Sequence, residues 1–177
     1  MAATFEFDES NGAGETPTHG KTKTDWKNED STTDNYGSFP VTAGNNSFEK
    51  WIFGHFSGTY NQLSAGLWAH TTNSLNGTSL IIKGQPAMTV DADRLAYATP
   101  STAANASLTF DQSAAIAIGS GRAVFFGITS PTAAGKAATS TGNPAYTNYL
   151  THQLQTTSAA PAGDTLNCTF TLRYNEN

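Results

Sequence analysis

The chain has 177 residues, of which only 13% are charged, about half the usual share of a globular protein. Its net charge of -5 and the lack of a basic stripe argue against direct binding to DNA or RNA phosphates. Thr, Ser, Asn, Gly and Ala surround an aromatic fraction of 11%, and this composition favours strands and turns over solvated helices.

The N-terminal region combines a short predicted strand, ATFEFDE, with a long polar run that ends near Pro40. The polar run has too few apolar residues to build a core of its own. We therefore predict residues 8–40 to be an extended N-terminal arm, held down on its own domain or on a neighbouring subunit. Aromatic residues in such a segment are typical anchors of an interface. The predicted interface anchors are Phe5, Phe7, Trp26, Tyr36 and Phe39.

The stretch NSFEKWIFGHFSGTYNQLS is the strongest strand prediction of the first half. Large apolar side chains alternate on both of its faces, so we expect a central strand, or one whose outer side is covered. The segments AGLWAHT and TSLIIKG follow as short strands. Asn76-Gly77 lies between them and predicts a hairpin, because both residues tolerate positive φ.

The second half contains four further predicted strands: LAYATPST, ASLTFDQ, RAVFFGITS and YTNYLTHQLQTT. A short helix is the alternative prediction for QSAAIAIGS. The final stretch, DTLNCTFTLRYNEN, alternates apolar and polar residues from Leu166 to Tyr174, as a half-buried strand does. The last two strands are predicted to pair as a hairpin across a short turn. Short strands at this spacing predict an all-β fold, an antiparallel β-sandwich of jelly-roll or Ig-like type, forming a single domain over residues 1–177.

Metal-binding patterns are weak in this sequence. No two histidines have zinc-motif spacing, so we interpret them as hydrogen-bonded structural residues and predict no metal site. Asp91 and Asp93, with Asp111 nearby, form an alternative Ca²⁺ site, although a solvated turn is favoured there. The histidines are His19, His55, His70 and His152.

Catalytic patterns are absent as well. The Gly-x-Gly of IGSGRAVFFG precedes a strand, whereas a phosphate loop requires a following helix. The single cysteine, Cys168, excludes an intrachain disulfide and is interpreted as a small buried apolar residue. We predict no catalytic residues and no cofactor, and therefore no enzyme. Spacing along the chain does not exclude a pair of carboxylates for glycoside hydrolysis, because the two residues of such a pair meet only in the folded structure.

The N-terminal sequence MAATFEFDES lacks a basic segment followed by an apolar run, and no apolar stretch is long enough for a bilayer. We expect assembly in a cytoplasm and no contact with a membrane.

Three stretches together resemble small structural proteins of tailed-bacteriophage virions: ATFEFDESNGAG, VTAGNNSFEKWIFGHFSGTYNQLSAGLWAHT and YLTHQLQTTSAAPAGDTLNCTFTLRYNEN. This resemblance implies a non-enzymatic β-sandwich that coats or joins parts of the particle. It carries no catalytic residues with it. A low charge and many Thr and Asn residues suit large polar interfaces between subunits.

The sequence therefore predicts a virion protein, first of all a capsid decoration (cement) protein that stabilises the head by subunit contacts. Its expected partners are the major capsid protein or neck and tail proteins, and other copies of itself, with a trimer favoured by analogy. The alternatives are a neck, collar or tail accessory protein, or a carbohydrate- or receptor-binding module that uses loop aromatics such as Trp26. We also expect that deleting residues up to about Phe39 leaves a folded sandwich that no longer joins the particle.

Overall fold

The computed structural model describes residues 2–72, 79–85, 97–104, 122–124, 126–127, 139–141, 144–163 and 168–177. These residues form eleven strands and almost no helix, which confirms the prediction of an all-β chain. The strands are β1 (Ala3–Asn11), β2 (Thr16–Thr18), β3 (Lys50–Gly58), β4 (Leu63–Thr72), β5 (Leu80–Gln85), β6 (Arg122–Val124), β7 (Phe126–Gly127), β8 (Thr139–Ser140), β9 (Ala145–Thr147), β10 (Leu150–Thr156) and β11 (Cys168–Glu176).

The strands are arranged in two antiparallel sheets. The larger sheet has seven strands in the order β2-β1-β3-β10-β5, with β9 pairing to both β3 and β7. The smaller sheet has four strands in the order β11-β4-β6, with β8 also pairing to β4. Among the described residues, no helix has the length and apolar character needed to cross a membrane.

Strand β3 lies at the centre of the larger sheet, as its two apolar faces predicted. Ile52 and Phe56 on one face belong to the main core, whereas Trp51 and Phe53 on the other face form a second buried cluster with Tyr149. Successive side chains of a strand point to opposite faces, so a strand in this position must be apolar on both. We call the face that carries the second cluster the outer face of the larger sheet.

The main core joins the two sheets. Ile52, Phe56, Leu150 and Leu154 come from the larger sheet, and Leu63 and Trp68 from the smaller one. Ring contacts cross between the sheets, such as Phe7 stacked on Trp68 with a centroid distance of 5.7 Å. The approach is close at Gly54, where an added Cβ would lie 2.9 Å from a ring carbon of Phe5 and 3.1 Å from Leu172 Cδ2.

Both predicted hairpins are wrong in the same way. Strand β4 belongs to the smaller sheet and its successor β5 to the larger one, so they do not pair. Likewise β10 pairs with β3 and β5, whereas β11 pairs with β4. A strand with one apolar face can complete either side of a shared core, and tight-turn signals do not decide which side it joins.

Other predicted segments have separate outcomes. The described part of LAYATPST, residues 97–102, contains no strand. The segments ASLTFDQ and QSAAIAIGS, the Asn76-Gly77 turn and the alternative Ca²⁺ site at Asp91, Asp93 and Asp111 lie outside the described residues.

The segment predicted to be an arm begins inside the larger sheet. Strand β1 pairs with β3 from Ala3–Gly58 to Ser10–Trp51, and Asp8, Glu9 and Ser10 are buried. The following residues fold back on their own chain, since the Lys21 amide donates to the Phe7 carbonyl at 2.7 Å. Deleting residues up to Phe39 would therefore remove β1 from the sheet. We no longer expect this deletion to leave a folded domain.

Candidate functional site

Three of the five predicted interface anchors contact the chain's own core. Phe5 and Phe7 are partly buried against it, and the Phe5 ring lies 5.0 Å from that of Phe56. Trp26 packs on the same cluster and donates its indole N–H to His152 Nδ1 at 2.9 Å. Within the chain, Trp26 thus fastens the polar segment onto the larger sheet.

The other two predicted anchors are exposed. Among the described residues, Tyr36 and Phe39 are the most exposed large hydrophobic side chains, with 43% and 38% of their surface exposed. They lie at the two ends of a turn in which the Phe39 amide donates to the Tyr36 carbonyl at 3.1 Å. The Phe39 carbonyl in turn accepts from the Asn28 amide at 2.8 Å. We call residues 36–39 the aromatic turn.

A buried lysine organises the segment that presents this turn. The side chain of Lys27 is fully buried, and its ammonium donates to Ser31 Oγ at 2.7 Å, to Asn35 Oδ1 at 2.6 Å and to the Thr33 carbonyl. Glu29 lies 3.2 Å away and supplies the opposing charge. The loop therefore closes around a cation in place of an apolar core, which explains how so polar a stretch adopts one conformation.

A second buried charge pair joins the sheet to this loop. Lys50 on β3 donates to Glu9 on β1 at 3.1 Å and to the Ser31 carbonyl at 2.9 Å. Burial is the main influence on both groups: it raises the pKa of Glu9 and lowers the pKa of Lys50, while their mutual attraction opposes both shifts. The pair fastens the polar segment to the larger sheet on the face that carries the main core, because Glu9 is the direct cross-strand partner of Ile52.

Two histidines and two carboxylates lie close together near the N-terminal strands, and we call them the His–carboxylate cluster. It consists of Glu6, Asp8, His19 and His55, whose nearest potential ligand atoms all lie within 4.8 Å of one another. His19 Nδ1 is 2.7 Å from Asp8 Oδ2. His55 Nδ1 is 2.9 Å from Glu6 Oε1 and 3.4 Å from the same Asp8 oxygen.

Backbone pairing brings the cluster together. Glu6 and Asp8 are two residues apart on β1, so they share a face, and His55 is the direct cross-strand partner of Glu6. His19 follows β2, and the next residue, Gly20, has a φ of 66°. Gly20 closes the turn by donating its amide to Asp8 Oδ1 at 3.1 Å, which leaves Oδ2 directed at the two imidazoles.

Sequence reasoning missed this cluster because it considered the histidines by their spacing along the chain. His19 and His55 are 36 positions apart. They meet only through the register of β1 on β3 and the return of the chain after β2. The sequence did contain one signal, the pair of acidic residues Glu6 and Asp8 on the face opposite Phe5 and Phe7.

The cysteine has the environment that the sequence predicted. Cys168 is partly buried against the core, and its desolvation raises the pKa of the thiol to about 12. A thiol with such a pKa is almost entirely protonated near neutral pH and is a poor nucleophile.

Comparisons with protein-family models, with curated proteins and with solved structures gave no match to this chain.

Proposed function

We propose that this chain is a structural protein of a tailed-bacteriophage virion, and first of all a capsid decoration protein that stabilises the head through subunit contacts. The neck, collar or tail is the alternative location within the same proposal. The two sheets and their shared core support a β-sandwich of jelly-roll or Ig-like type as its fold. The resemblance of three sequence stretches to small virion proteins supports the particle as its place of work.

The observation that carries the proposal is the aromatic turn. Tyr36 and Phe39 are exposed side chains on a turn whose Phe39 carbonyl accepts from the Asn28 amide, and the preceding residue, Asn35, accepts from the Lys27 ammonium. A rigid aromatic pair loses little conformational entropy on binding, and aromatic residues are prominent among the side chains that dominate interfaces. In this proposal the aromatic turn contacts a neighbouring subunit, and the rest of the N-terminal segment remains on its own domain.

The proposal involves binding without catalysis, and other copies of the chain are among its partners, with a trimer favoured. A decoration protein gains particle stability from many weak copies of one contact, because linked contacts reinforce each other. Abundant uncharged polar residues suit such an interface, which is typically wet and polar at its rim.

The test uses phage particles produced from the genome that encodes this chain. A variant carrying Tyr36→Ala and Phe39→Ala should remain folded, because both side chains are exposed, and its occupancy on the particle should fall. If the turn is a binding hot spot, the affinity decreases by a factor of roughly 30 or more. Quantitative mass spectrometry of purified particles measures the occupancy.

Ser38→Ala is the matched control, because it changes an exposed residue of the same turn without removing an aromatic ring. We expect it to leave occupancy unchanged. Equal occupancy of the native chain and the double variant would contradict the binding role of the turn, and particles without the chain would contradict the virion assignment.

A further inference from the structure

We propose that the His–carboxylate cluster, defined above as Glu6, Asp8, His19 and His55, is a structural binding site for one divalent transition-metal ion of the Zn²⁺ class. The inference is independent of the virion proposal. It depends on the donor set, the geometry and the charge balance of these four side chains.

The donor set favours a transition metal. Imidazole nitrogen and carboxylate oxygen are the ligands that Zn²⁺ and its neighbours accept, whereas Mg²⁺ and Ca²⁺ prefer oxygen ligands alone. Four protein ligands fill a tetrahedral shell and leave no open position for substrate. The cluster therefore has the composition of a structural site, as opposed to a catalytic one.

The geometry is close to that of a tetrahedral site. Metal–ligand bonds of about 2.0–2.1 Å separate neighbouring ligand atoms by roughly 3.3 Å. His55 Nδ1 and Asp8 Oδ2 are 3.4 Å apart. The His19–Asp8 and His55–Glu6 distances are 2.7 and 2.9 Å, so these pairs would separate by about half an ångström. The four ligand atoms spread over at most 4.8 Å, so the widest pair would approach by up to roughly 1.5 Å.

The charge balance also calls for a cation. The side chain of Asp8 is fully buried, and within the described part of the chain its ionic partners are the two imidazoles alone. A buried carboxylate without a strong counter-charge is costly. Metal ligation requires neutral imidazoles and ionised carboxylates, and in that form one divalent cation would balance the two carboxylates.

The surroundings hold the ligands in position. The ring of His55 stacks on Tyr146 with a centroid distance of 4.9 Å and an angle of 14° between the planes. The Gly20 amide holds the second oxygen of Asp8 at 3.1 Å. Such supporting contacts orient ligands and commonly change metal affinity by about 10- to 100-fold. The side chain of His19 is 59% exposed, which gives an ion access from solvent.

A bound ion would join three separate parts of the chain. It would link β1, β3 and the residue that follows β2, and so fasten the N-terminal segment to the larger sheet. Any ligand that binds the folded state alone stabilises that state. We therefore expect the melting temperature to rise when Zn²⁺ is added.

The experiment titrates ZnCl₂ into the untagged full-length chain, freed of metal with EDTA and desalted, and follows it by calorimetry and thermal melting. We expect one ion per chain, a higher melting temperature, and the absorption bands of four-coordinate Co²⁺ when CoCl₂ replaces zinc. MgCl₂ should bind much more weakly. Failure of Zn²⁺ to bind, or binding of Mg²⁺ as tight as that of Zn²⁺, would overturn the proposal.

Two ligand variants and a control locate the site. His19→Gln changes an exposed side chain and keeps a hydrogen-bonding group beside Asp8, so we expect a folded protein that binds Zn²⁺ at least about tenfold more weakly. His55→Gln should behave in the same way. Glu29→Gln removes a carboxylate outside the cluster and should leave affinity unchanged. Undiminished binding by His19→Gln would place the ion elsewhere and overturn the assignment.

Discussion

At the scale of single residues, the buried pair of Glu9 and Lys50 leads to a direct prediction about stability. Only 1% of Glu9 and 3% of Lys50 is exposed. Desolvation raises the pKa of Glu9 and lowers the pKa of Lys50, and both shifts favour the neutral form of the side chain. A charge in such a place is tolerated because its partner lies 3.1 Å away. Removing one partner leaves the other buried and uncompensated.

We predict that Lys50→Met lowers the free energy of unfolding by about 3–5 kcal/mol. The double variant Glu9→Met with Lys50→Met should be less destabilised than Lys50→Met alone, because neither charge is then stranded. Urea unfolding of the native chain, both single variants and the double variant measures this coupling. A double variant whose loss equals the sum of the two single losses would show that the pair is not coupled.

The residue scale also shows where sequence reasoning stops. Alternation in KWIFGHF indicated that Ile52 and Trp51 face opposite sides of a buried strand, and the structure agrees. The same sequence gave no means of placing His55 beside Glu6. That contact depends on strand register, which is set jointly by the whole of β1 and β3.

At the scale of elements, the polar segment from residue 21 to residue 40 departs furthest from expectation. Its composition predicted an arm without a core, and hydrogen bonds to one ammonium group replace that core. Composition alone could not reveal this, because the sequence does not show which lysine side chains are buried in the fold. Lys27 is fully buried, whereas the side chain of Lys23, four residues earlier, is 58% exposed.

We predict that Lys27→Ala loosens this segment locally. Hydrogen bonds to a charged group each contribute about 1.5–3 kcal/mol, so losing the ammonium should increase local opening by roughly 100-fold. Hydrogen exchange of the Asn28 amide, which donates to the Phe39 carbonyl, reports that opening.

Lys23→Ala is the control for this measurement. Lys23 lies 3.5 Å from Asp25, and its own side chain is 58% exposed, so solvent screens the pair and its contribution is at most about 1 kcal/mol. Equal exchange rates at Asn28 in the two variants would refute the organising role of Lys27.

The strands themselves were easier to predict than the strands with which they pair. The strands now numbered β3, β4, β5, β10 and β11 overlap segments whose apolar patterning predicted strands. Their partners were not predictable in the same way, because β4 to β5 and β10 to β11 both cross from one sheet to the other. Local turn chemistry favours a hairpin, but the burial of apolar faces between two sheets determines the pairing.

At the scale of the whole molecule, the proposal connects a two-sheet core with a braced aromatic turn that contacts a neighbour. The core explains how a chain without a disulfide holds its shape, since residues of both sheets share one apolar cluster. The N-terminal segment contributes Phe5, Phe7 and Trp26 to that cluster and leaves Tyr36 and Phe39 outside it. The proposed binding role therefore falls to aromatic residues other than those that pack on the core.

The most direct test is a cryo-electron microscopy reconstruction of the phage particle produced from the genome that encodes this chain. The account predicts the chain at repeated positions on the particle, with Tyr36 and Phe39 buried against an adjacent subunit. A particle that lacks the chain, or one in which both side chains face solvent, would contradict the account.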